Sequence, residues 1–468
     1  MDKLNWVTKA CAVFLLWAAM AIALPAQTFT SLHSFDGTDG QYPQAPLVQG
    51  ANGSLYGTTY GGGANNDGTV FTIAPGGTVT TMHSFDVTDG SLVIGGLVQA
   101  TDGDFYGTTF EGGTSATCRG GCGTIFKITT SGTLTTLYSF DNGTDGSFPQ
   151  GALTQAADGN FYGTTSGGGT NGFGTVFTMT AGGTLTTLHS FDFYTDGASP
   201  IAGLVQAANG NFYGTTYDGG ANSDGSVFTI TPGGTLTTLH TFGGTDGALP
   251  YAGLVQATDG LLYGTTEEGG ANGVGTVFTI TPSGTLTTLH SFDNTDGATP
   301  VAALVQGTNG KAYGTTYYGG TNGYGTVFTI TASGTLTTLH SFDNTDGAFP
   351  YAAVVQATNG KFYGTTFGGG ANNACSLGCG TVFSLSVGLG PFVEENPAAG
   401  KVGVKVGILG TNLTGATSVT FNGVAAEFKV RSQTLIVAEV PFGATSGTVQ
   451  VQLPNGTLSS AAPFIVLR

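Results

Sequence analysis

The phrase Tyr-Gly-Thr-Thr occurs seven times along this chain, and this repetition constrains the fold more than any other feature. Successive copies are 50, 56, 51, 50, 50 and 50 residues apart. The long spacing contains an insertion around Cys118 to Cys122 and an extra residue near Asn142. Self-similarity at a period of this length is typical of propellers, solenoids and related arrays. The copies begin at Tyr56, Tyr106, Tyr162, Tyr213, Tyr263, Tyr313 and Tyr363.

One unit, residues 250–292, shows four short strands separated by turns. Asp259-Gly260 is a hairpin signal between the first two strands, and a glycine-rich loop over 269–273 follows the second. Four strands in about 50 residues are typical of a propeller blade. A parallel β-helix is the alternative, but its coils are shorter and need no paired hairpins. The predicted strands are 254–257, 262–266, 276–281 and 286–292.

The two ends of the array predict a closed ring. The chain begins with a lone fourth strand, residues 29–35, and the last unit stops after its third strand at Val382-Phe383. Each strand type occurs seven times only if the first segment completes the last blade, which leaves no open edge between them. Small residues such as Ala252-Gly253 precede the innermost strand, as the crowded axis of a propeller requires. That strand also carries Gln49, Gln99, Gln155, Gln206, Gln256, Gln306 and Gln356.

The repeat resembles the GloVer tandem repeat of predicted exported bacterial proteins. The motifs that carry the resemblance are Leu-His-Ser-Phe-Asp, Thr-Asp-Gly, Asn/Asp-Gly-x-Phe-Tyr-Gly-Thr-Thr and Gly-Thr-Val-Phe-Thr-Ile, and they span residues 28 to about 386. The resemblance implies export and frequent surface anchoring, but no established activity. Relatives often end in an apolar sorting tail that this chain does not show, so the resemblance does not extend to an anchor.

The composition changes near Gly388, where the repeat stops. Alternating segments separated by Asn422-Gly423 and Asn455-Gly456 predict a small β-sandwich without an inter-sheet disulfide. The segment looks like an IPT/TIG immunoglobulin-like domain, which implies a spacer or an interaction module. The matching residues are Pro397, Gly400, 408–413, 419–423, Val440-Pro441, 447–449 and Gly456.

The predicted fold class is therefore all-β. We expect a signal peptide over residues 1–26 and a seven-bladed β-propeller, closed by an N-terminal strand, over residues 27–387. An immunoglobulin-like β-sandwich follows over residues 388–468.

Charge excludes one class of partner. Charged residues make up 8% of the chain, and the formal net charge is −17. Between the leader and the C-terminal domain the fixed cations are Arg119, Lys127, Lys311 and Lys361. Because phosphate contacts need clustered Lys and Arg, we expect no nucleic-acid partner, and anionic membrane surfaces are disfavoured likewise.

The first 26 residues have the pattern of a secretory signal peptide. Lys3 and Lys9 form its positive region, and residues 10–24 form an apolar run too short for a confident membrane span. Residues 24–26 offer a cleavage site and residues 21–23 a rival one, while an uncleaved anchor is the alternative interpretation. We expect a secreted protein, periplasmic or extracellular, that does not insert in a membrane after cleavage.

Two polar residues recur in the repeat. All six histidines lie at one position of the outermost strand, where Tyr138 fills the remaining copy, so a structural hydrogen bond is preferred over catalysis. The Thr-Asp-Gly loops place a ring of aspartates between blades, and three of them are candidate ligand-binding residues: Asp246, Asp296 and Asp346. Such a ring could bind calcium. However, its spacing does not match the known calcium loop, and Asp before Gly is an ordinary turn device, so no metal site or cofactor is predicted.

Aromatic residues that differ from unit to unit lie on the same predicted face. Variation on a regular scaffold can create a binding site, and rings flanked by Asn and Asp suit a sugar. Packing among the loops is the alternative. The candidate ligand-binding aromatics are Tyr60, Phe110, Tyr217, Tyr317, Tyr318, Tyr324 and Phe367.

Four cysteines lie in equivalent loops of the second and seventh units. Cys118 with Cys122, and Cys375 with Cys379, predict two local disulfides in an exported protein. A shared zinc site is the alternative, but one blade separates the two pairs.

Three functions are compatible with these features. The preferred one is an exported, non-catalytic binding or scaffolding protein whose partner is a glycan or a surface protein. An extracellular polysaccharide lyase or hydrolase is the second, with Glu111, Glu267 and Glu268 as carboxylates that break the symmetry of the loops. A purely structural surface protein is the third, and the sequence predicts no oligomeric state.

Overall fold

The computed structural model describes residues 27–74, 76–372 and 374–467. The predicted signal peptide lies outside these residues. Every regular element is a β-strand except one short 3-10 helix, Leu413–Gly415, within the described ranges. No helix in this part of the chain has the length and apolar character that crossing a bilayer would take.

Seven antiparallel sheets of four strands repeat along the chain, which confirms the seven-bladed propeller. The N-terminal strand and the first blade are β1 (Thr28–Ser34), β2 (Val48–Gln49), β3 (Leu55–Thr59), β4 (Thr69–Ile73) and β5 (Val79–Ser84). The second and third blades are β6 (Val98–Gln99), β7 (Phe105–Thr109), β8 (Thr124–Ile128), β9 (Leu134–Ser139), β10 (Thr154–Gln155), β11 (Phe161–Thr165), β12 (Thr175–Met179) and β13 (Leu185–Ser190). The fourth and fifth are β14 (Val205–Gln206), β15 (Phe212–Thr216), β16 (Ser226–Ile230), β17 (Leu236–Thr241), β18 (Val255–Gln256), β19 (Leu262–Thr266), β20 (Thr276–Ile280) and β21 (Leu286–Ser291). The sixth and seventh are β22 (Val305–Gln306), β23 (Ala312–Thr316), β24 (Thr326–Ile330), β25 (Leu336–Ser341), β26 (Val355–Gln356), β27 (Phe362–Thr366) and β28 (Thr381–Ser386).

The N-terminal strand closes the ring as predicted. β1 pairs antiparallel with β28, from Thr28 opposite Ser386 to Ser34 opposite Thr381, and so becomes the outer strand of the seventh blade. The fully buried Phe35 then meets Phe71 of the first blade edge-to-face, with ring centroids 5.2 Å apart. The first and last blades therefore share a core as neighbouring blades do elsewhere.

The glycine of each Tyr-Gly-Thr-Thr phrase is required by packing within the blade. At Gly264 an added Cβ would lie 2.5 Å from the ring of Phe278 and 2.8 Å from a methyl group of Leu254. The third-strand phenylalanine thus lies directly over the glycine of the second strand. Any side chain there would displace a fully buried ring, because protein cores are close-packed.

The repeated glutamines join each blade to the next. The side-chain oxygen of each one accepts the backbone N–H of a hairpin residue in the preceding blade, for example Thr258 N–H to Gln306 at 2.9 Å. The same contact crosses the closure, where Thr358 N–H donates to Gln49 at 2.8 Å. The remaining five acceptors are Gln99, Gln155, Gln206, Gln256 and Gln356.

A second set of links uses one residue of each inter-blade loop, which we call the clasp residue. Its N–H donates to the loop after the second strand of the preceding blade, as in Thr299 to Val274, at 2.9 Å. Its carbonyl accepts the N–H of the residue that follows Tyr-Gly-Thr-Thr, as in Tyr317 to Thr299, at 3.1 Å. All seven have φ between 53° and 58°, although none is glycine. The clasp residues are Tyr42, Leu92, Phe148, Ser199, Leu249, Thr299 and Phe349.

The C-terminal residues form a separate β-sandwich. Its strands are β29 (Glu394–Asn396), β30 (Ala399–Lys401), β31 (Lys405–Leu409), β32 (Ser418–Phe421), β33 (Val424–Ala425), β34 (Phe428–Val430), β35 (Leu435–Glu439), β36 (Val449–Leu453), β37 (Gly456–Ser459) and β38 (Ile465–Leu467). Two four-stranded sheets, β29-β31-β35-β34 and β33-β32-β36-β37, and a parallel pair, β30-β38, enclose one apolar core. Five of these strands, β29, β30, β33, β34 and β38, have only two or three residues.

This domain contacts the lower face of the propeller, which we define as the side of the hairpins between the first and second strands. The Thr434 hydroxyl donates to the Ala51 carbonyl at 2.8 Å, and the Asn396 amide donates to the Gln99 carbonyl at 3.0 Å. The Phe392 N–H donates to the Thr358 carbonyl at 3.0 Å. These contacts involve blades one, two and seven. Under blades three to five a mostly apolar cleft of about 540 Å³ separates the two domains.

Candidate functional site

The upper face of the propeller consists of the loops between blades and the loops joining second to third strands. The two loop types are held together by isolated bridges, such as Ala248 with Glu268 and Ala298 with Tyr318. Of the twenty-three carboxylates in residues 27–387, nineteen lie in these upper loops. Arg119, in the second blade, is the one Lys or Arg in them. The upper face is therefore strongly acidic.

Each histidine of the outer strands bonds the aspartate of the adjoining Thr-Asp-Gly loop. The Nε2 atoms lie 2.7 or 2.8 Å from the carboxylate oxygens, and in the second blade the Tyr138 hydroxyl donates to Asp145 at 3.0 Å. Histidine at this position is thus part of the blade structure, as predicted. The pairs are His33–Asp39, His83–Asp89, His189–Asp196, His240–Asp246, His290–Asp296 and His340–Asp346.

The three aspartates among the candidate ligand-binding residues are occupied within their own loops. One oxygen each of Asp246, Asp296 and Asp346 bonds a histidine, and the other accepts a backbone N–H at 3.0 or 3.1 Å. The structure therefore gives these carboxylates a structural role. Within the described ranges, no three His, Cys, Asp or Glu side chains come together as a metal site would require.

Four tyrosines form a continuous series across the upper face of blades four to seven, and we call this series the tyrosine arc. The ring centroids of neighbours are 5.4–5.8 Å apart, and the planes of neighbouring rings are 83–86° apart. Such edge-to-face contacts are favourable beyond the area that they bury. The arc runs in the order Tyr217, Tyr251, Tyr351 and Tyr317.

Two members of the arc line the central channel. One residue per blade, at the second position after the clasp residue, faces a cavity of about 240 Å³ on the axis. Tyr251 and Tyr351 occupy this position in blades five and seven. The ring of seven is Gln44, Ile94, Gln150, Ile201, Tyr251, Val301 and Tyr351. Its aromatic side is therefore confined to one half of the channel mouth.

Glu267 lies beside the arc, at the position that follows Tyr-Gly-Thr-Thr. Burial raises the pKa of Glu267, and the neighbouring Glu268 adds to the effect, while the Tyr217 hydroxyl opposes it. Burial, followed by the charge of Glu267, raises the pKa of Tyr217. Glu267 also contributes to the raised pKa values of Tyr251 and Tyr351, so its carboxylate is electrostatically coupled to three rings of the arc.

The described residues contain seven close contacts between a basic and an acidic side chain, which are the six His–Asp hydrogen bonds and the Lys127–Asp104 ion pair. Glu267 is in none of them.

The other predicted aromatics separate into two groups. Around the arc, Phe367 lies 6.5 Å from Tyr317, and Tyr318 contacts Tyr317 at 4.6 Å with 47% of its own surface exposed. Tyr324 instead packs on the clasp residue Phe349, at 5.7 Å.

Two candidates lie in blades one and two, away from the arc. Phe110 packs on Phe148 at 5.1 Å, so loop packing accounts for it. Tyr60, in the first blade, is near Glu111, whose charge, after burial, raises the pKa of Tyr60.

Tyr251 and Tyr351 were not among the aromatic residues predicted from the sequence. Both are isolated aromatics at a position that is Gln, Ile or Val in the other blades. The sequence does indicate this position, because it differs between blades while the residues of the adjacent innermost strand are nearly the same in every blade.

Both predicted disulfides are present. Cys118 bonds Cys122, with the sulfur atoms 2.08 Å apart, and Cys375 bonds Cys379, at 2.00 Å. Each bond closes its own loop on the upper face, so the alternative of a zinc site shared by the four cysteines is wrong.

Comparisons with known proteins identify both parts of the chain. A model of the Gloeobacter/Verrucomicrobia repeat matches residues 20–223, 77–270 and 203–393, which confirms the predicted resemblance to the GloVer repeat. A model of the IPT/TIG domain matches residues 394–465. No curated protein matches the sequence.

Among the solved structures that match, two have low sequence identity and TM-scores below 0.5. A gluconolactonase from Xanthomonas campestris is 12% identical, with a TM-score of 0.41 over 79% of this chain and 92% of that one. A protein of unknown function from Bacteroides thetaiotaomicron is 14% identical, with a TM-score of 0.44 over 77% and 76% of the two chains. Since the repeat model covers most of the sequence, the chain belongs to the Gloeobacter/Verrucomicrobia repeat family, and its repeats are followed by an IPT/TIG domain.

Proposed function

We propose that this chain is an exported, non-catalytic carbohydrate-binding protein of the cell surface or extracellular space. The tyrosine arc is the observation that carries the proposal. Aromatic rings offer apolar faces to the C–H surfaces of sugars, and phenolic hydroxyls offer hydrogen bonds to sugar hydroxyls. The arc combines both at the rim of a concave mouth, where binding sites of propellers and barrels commonly form.

Export is supported by the cysteines and the leader. Short disulfide-closed loops persist in oxidising compartments, and four of the five cysteines form them. The pattern of residues 1–26 has the charge and apolar run of a signal peptide. In this proposal the C-terminal domain, which contacts the lower face, leaves the upper face open to a glycan.

A binding role fits the arc better than an enzymatic one. Acid–base hydrolysis of a glycan generally uses two carboxylates that face the scissile bond from separate positions. Glu267 is the one carboxylate coupled to several rings of the arc. Its neighbour Glu268 is exposed and bonds Ala248 through its backbone. Asp218 and Glu268 also contribute to the raised pKa of Tyr217, but neither contributes to those of Tyr251, Tyr351 or Tyr317. The arc therefore favours recognition over acid–base hydrolysis.

The test is glycan binding by the full chain from Gln27, first on an array and then by calorimetry with the best neutral oligosaccharide. Tyr351→Ala should reduce affinity by about tenfold or more, because an aromatic anchor near the centre of a site carries much of the binding energy. Tyr60→Ala is the matched control, because Tyr60 is an upper-face tyrosine outside the arc.

Two outcomes would overturn the proposal. Absence of binding to any glycan would favour a structural role. Turnover of a bound polysaccharide that is lost in Glu267→Gln would favour the enzymatic alternative.

A further inference from the structure

Glu267 lies beside the tyrosine arc and, within the described residues, has no lysine, arginine or histidine partner. Carbohydrate binding as proposed above requires only aromatic faces and hydroxyl groups. It does not explain the acidic residue at the position after Tyr-Gly-Thr-Thr, which is aromatic in most blades. The residues that follow Tyr-Gly-Thr-Thr in the seven blades are Tyr60, Phe110, Ser166, Tyr217, Glu267, Tyr317 and Phe367. Only the fifth blade has an ionisable carboxyl there.

The tyrosines of the arc remain neutral at physiological pH, because the pKa of each is raised. Burial, followed by the neighbouring Tyr318, raises the pKa of Tyr317 to about 12, and burial is also the first cause of the raised values of Tyr251 and Tyr351. Their rings keep the electron-rich faces that attract a cation within about 6 Å of the centroid. A positive group above the arc would therefore meet several ring faces together with the Glu267 carboxylate.

The wider field favours the same sign of charge. The upper loops carry nineteen carboxylates against Arg119, which lies three blades away from Glu267. Six of the aspartates are paired with histidines, but the net field of the face remains negative. Such a field raises the local concentration of cationic ligands and repels uronates, sulfated sugars and phosphates.

We propose that the carbohydrate bound at the tyrosine arc carries a free, protonated amino group, as in an oligosaccharide of glucosamine. This inference rests on the proposed function, since it specifies the class of sugar that the same site takes. The ammonium group lies against the Glu267 carboxylate and the faces of the arc, and the sugar rings extend along the upper face. An N-acetylated sugar keeps the stacking but loses this contact.

Calorimetry with two hexasaccharides tests the inference on the full chain. The glucosamine hexamer and the N-acetylglucosamine hexamer share a backbone and differ in the charge of the amino group. Wild type should bind the glucosamine hexamer about tenfold more tightly or better, as a partly desolvated cation contact provides. Glu267→Gln should reduce this preference severalfold and leave the affinity for the N-acetylated hexamer nearly unchanged, while the remaining carboxylates of the upper face keep a residual preference for the cationic hexamer.

Glu268→Gln is the matched control, because it removes the same charge from the adjacent, exposed position. It should retain the preference, which separates a specific contact from general attraction to an acidic face. Equal affinity of wild type for the two hexamers would overturn the inference while leaving the proposed function intact. An equal effect of Glu267→Gln and Glu268→Gln on this preference would also overturn the inference. If the protein bound neither hexamer and no other glycan, the proposed function itself would be overturned. Unchanged thermal unfolding of the variants is the control for folding.

Discussion

The side-chain oxygen of Gln49 accepts the backbone N–H of Thr358 at 2.8 Å, across 309 residues of chain. The amide nitrogen of Gln49 also lies 3.2 Å from the Thr358 hydroxyl oxygen. This contact repeats, at the junction of the last and first blades, the one that a glutamine makes at every other junction. Ring closure therefore depends on the same side chain as the ring itself.

Replacement of Gln49 by leucine should destabilise the propeller by about 1–3 kcal/mol, because it leaves the Thr358 N–H without its acceptor. Gln256→Leu, which removes the equivalent acceptor of Ala208 N–H, is the matched control at an internal junction. Urea denaturation should show similar losses for both. A loss at Gln256 with no effect at Gln49 would contradict closure through this contact.

The second blade indicates which substitutions of the outer-strand histidine the propeller should tolerate. Tyr138 replaces histidine there and still donates to the loop aspartate. We therefore expect His290→Tyr to be nearly neutral and His290→Phe to cost about 1 kcal/mol or more, because one carboxylate oxygen of Asp296 then loses its hydrogen-bond partner. Denaturation midpoints of the two variants provide the measurement. Equal stability of both would show that the hydrogen bond contributes nothing.

Ring closure and the structural role of the histidines could be predicted because both follow from what seven copies of one sequence share. A residue that recurs seven times, such as the glutamine of the innermost strand, must do the same work in each blade. Comparing the repeats does not reveal Tyr251 and Tyr351, because these two residues differ from the Gln, Ile or Val at the same position in the other blades. No local pattern indicates that Thr434 contacts Ala51 either, because that contact joins two domains whose surfaces carry no matching motif.

Stability of the C-terminal domain should depend on pH through Glu395. Its side chain is buried, one carboxylate oxygen has no hydrogen-bond partner within the described residues, and 9% of the residue is exposed. Burial, with the charge of Glu394 second, raises the pKa of Glu395 to about 8 from an ordinary 4.5.

The folded state therefore binds a proton between these pH values that the unfolded state has released. Stability falls as the pH rises through this window, by at most about 1.4 kcal/mol per pH unit. Glu395→Gln should match wild type near pH 4.5 and exceed its stability at pH 8, as measured by urea denaturation. Glu427→Gln, at an exposed position of the same domain, should show no such difference. A constant difference between Glu395→Gln and wild type at all pH values would contradict the assignment.

The clasp residues have strained backbone conformations, and a substitution can relieve this strain. Thr299 has φ of 54°, a left-handed conformation that is unfavourable for a β-branched residue. Asparagine tolerates this conformation and keeps both backbone hydrogen bonds, so Thr299→Asn should stabilise the propeller by about 1 kcal/mol.

Phe349→Asn relieves the backbone at the equivalent position, where φ is 58°, but it removes a ring that packs on Tyr317 at 5.2 Å and Tyr324 at 5.7 Å. It should therefore destabilise, because the lost burial of a large aromatic outweighs the strain. If thermal unfolding shows stabilisation by Thr299→Asn and destabilisation by Phe349→Asn, then backbone strain and side-chain packing contribute separately to stability at the clasp position. Destabilisation by both would show that the left-handed turn itself costs little, and that each clasp side chain is held by its packing.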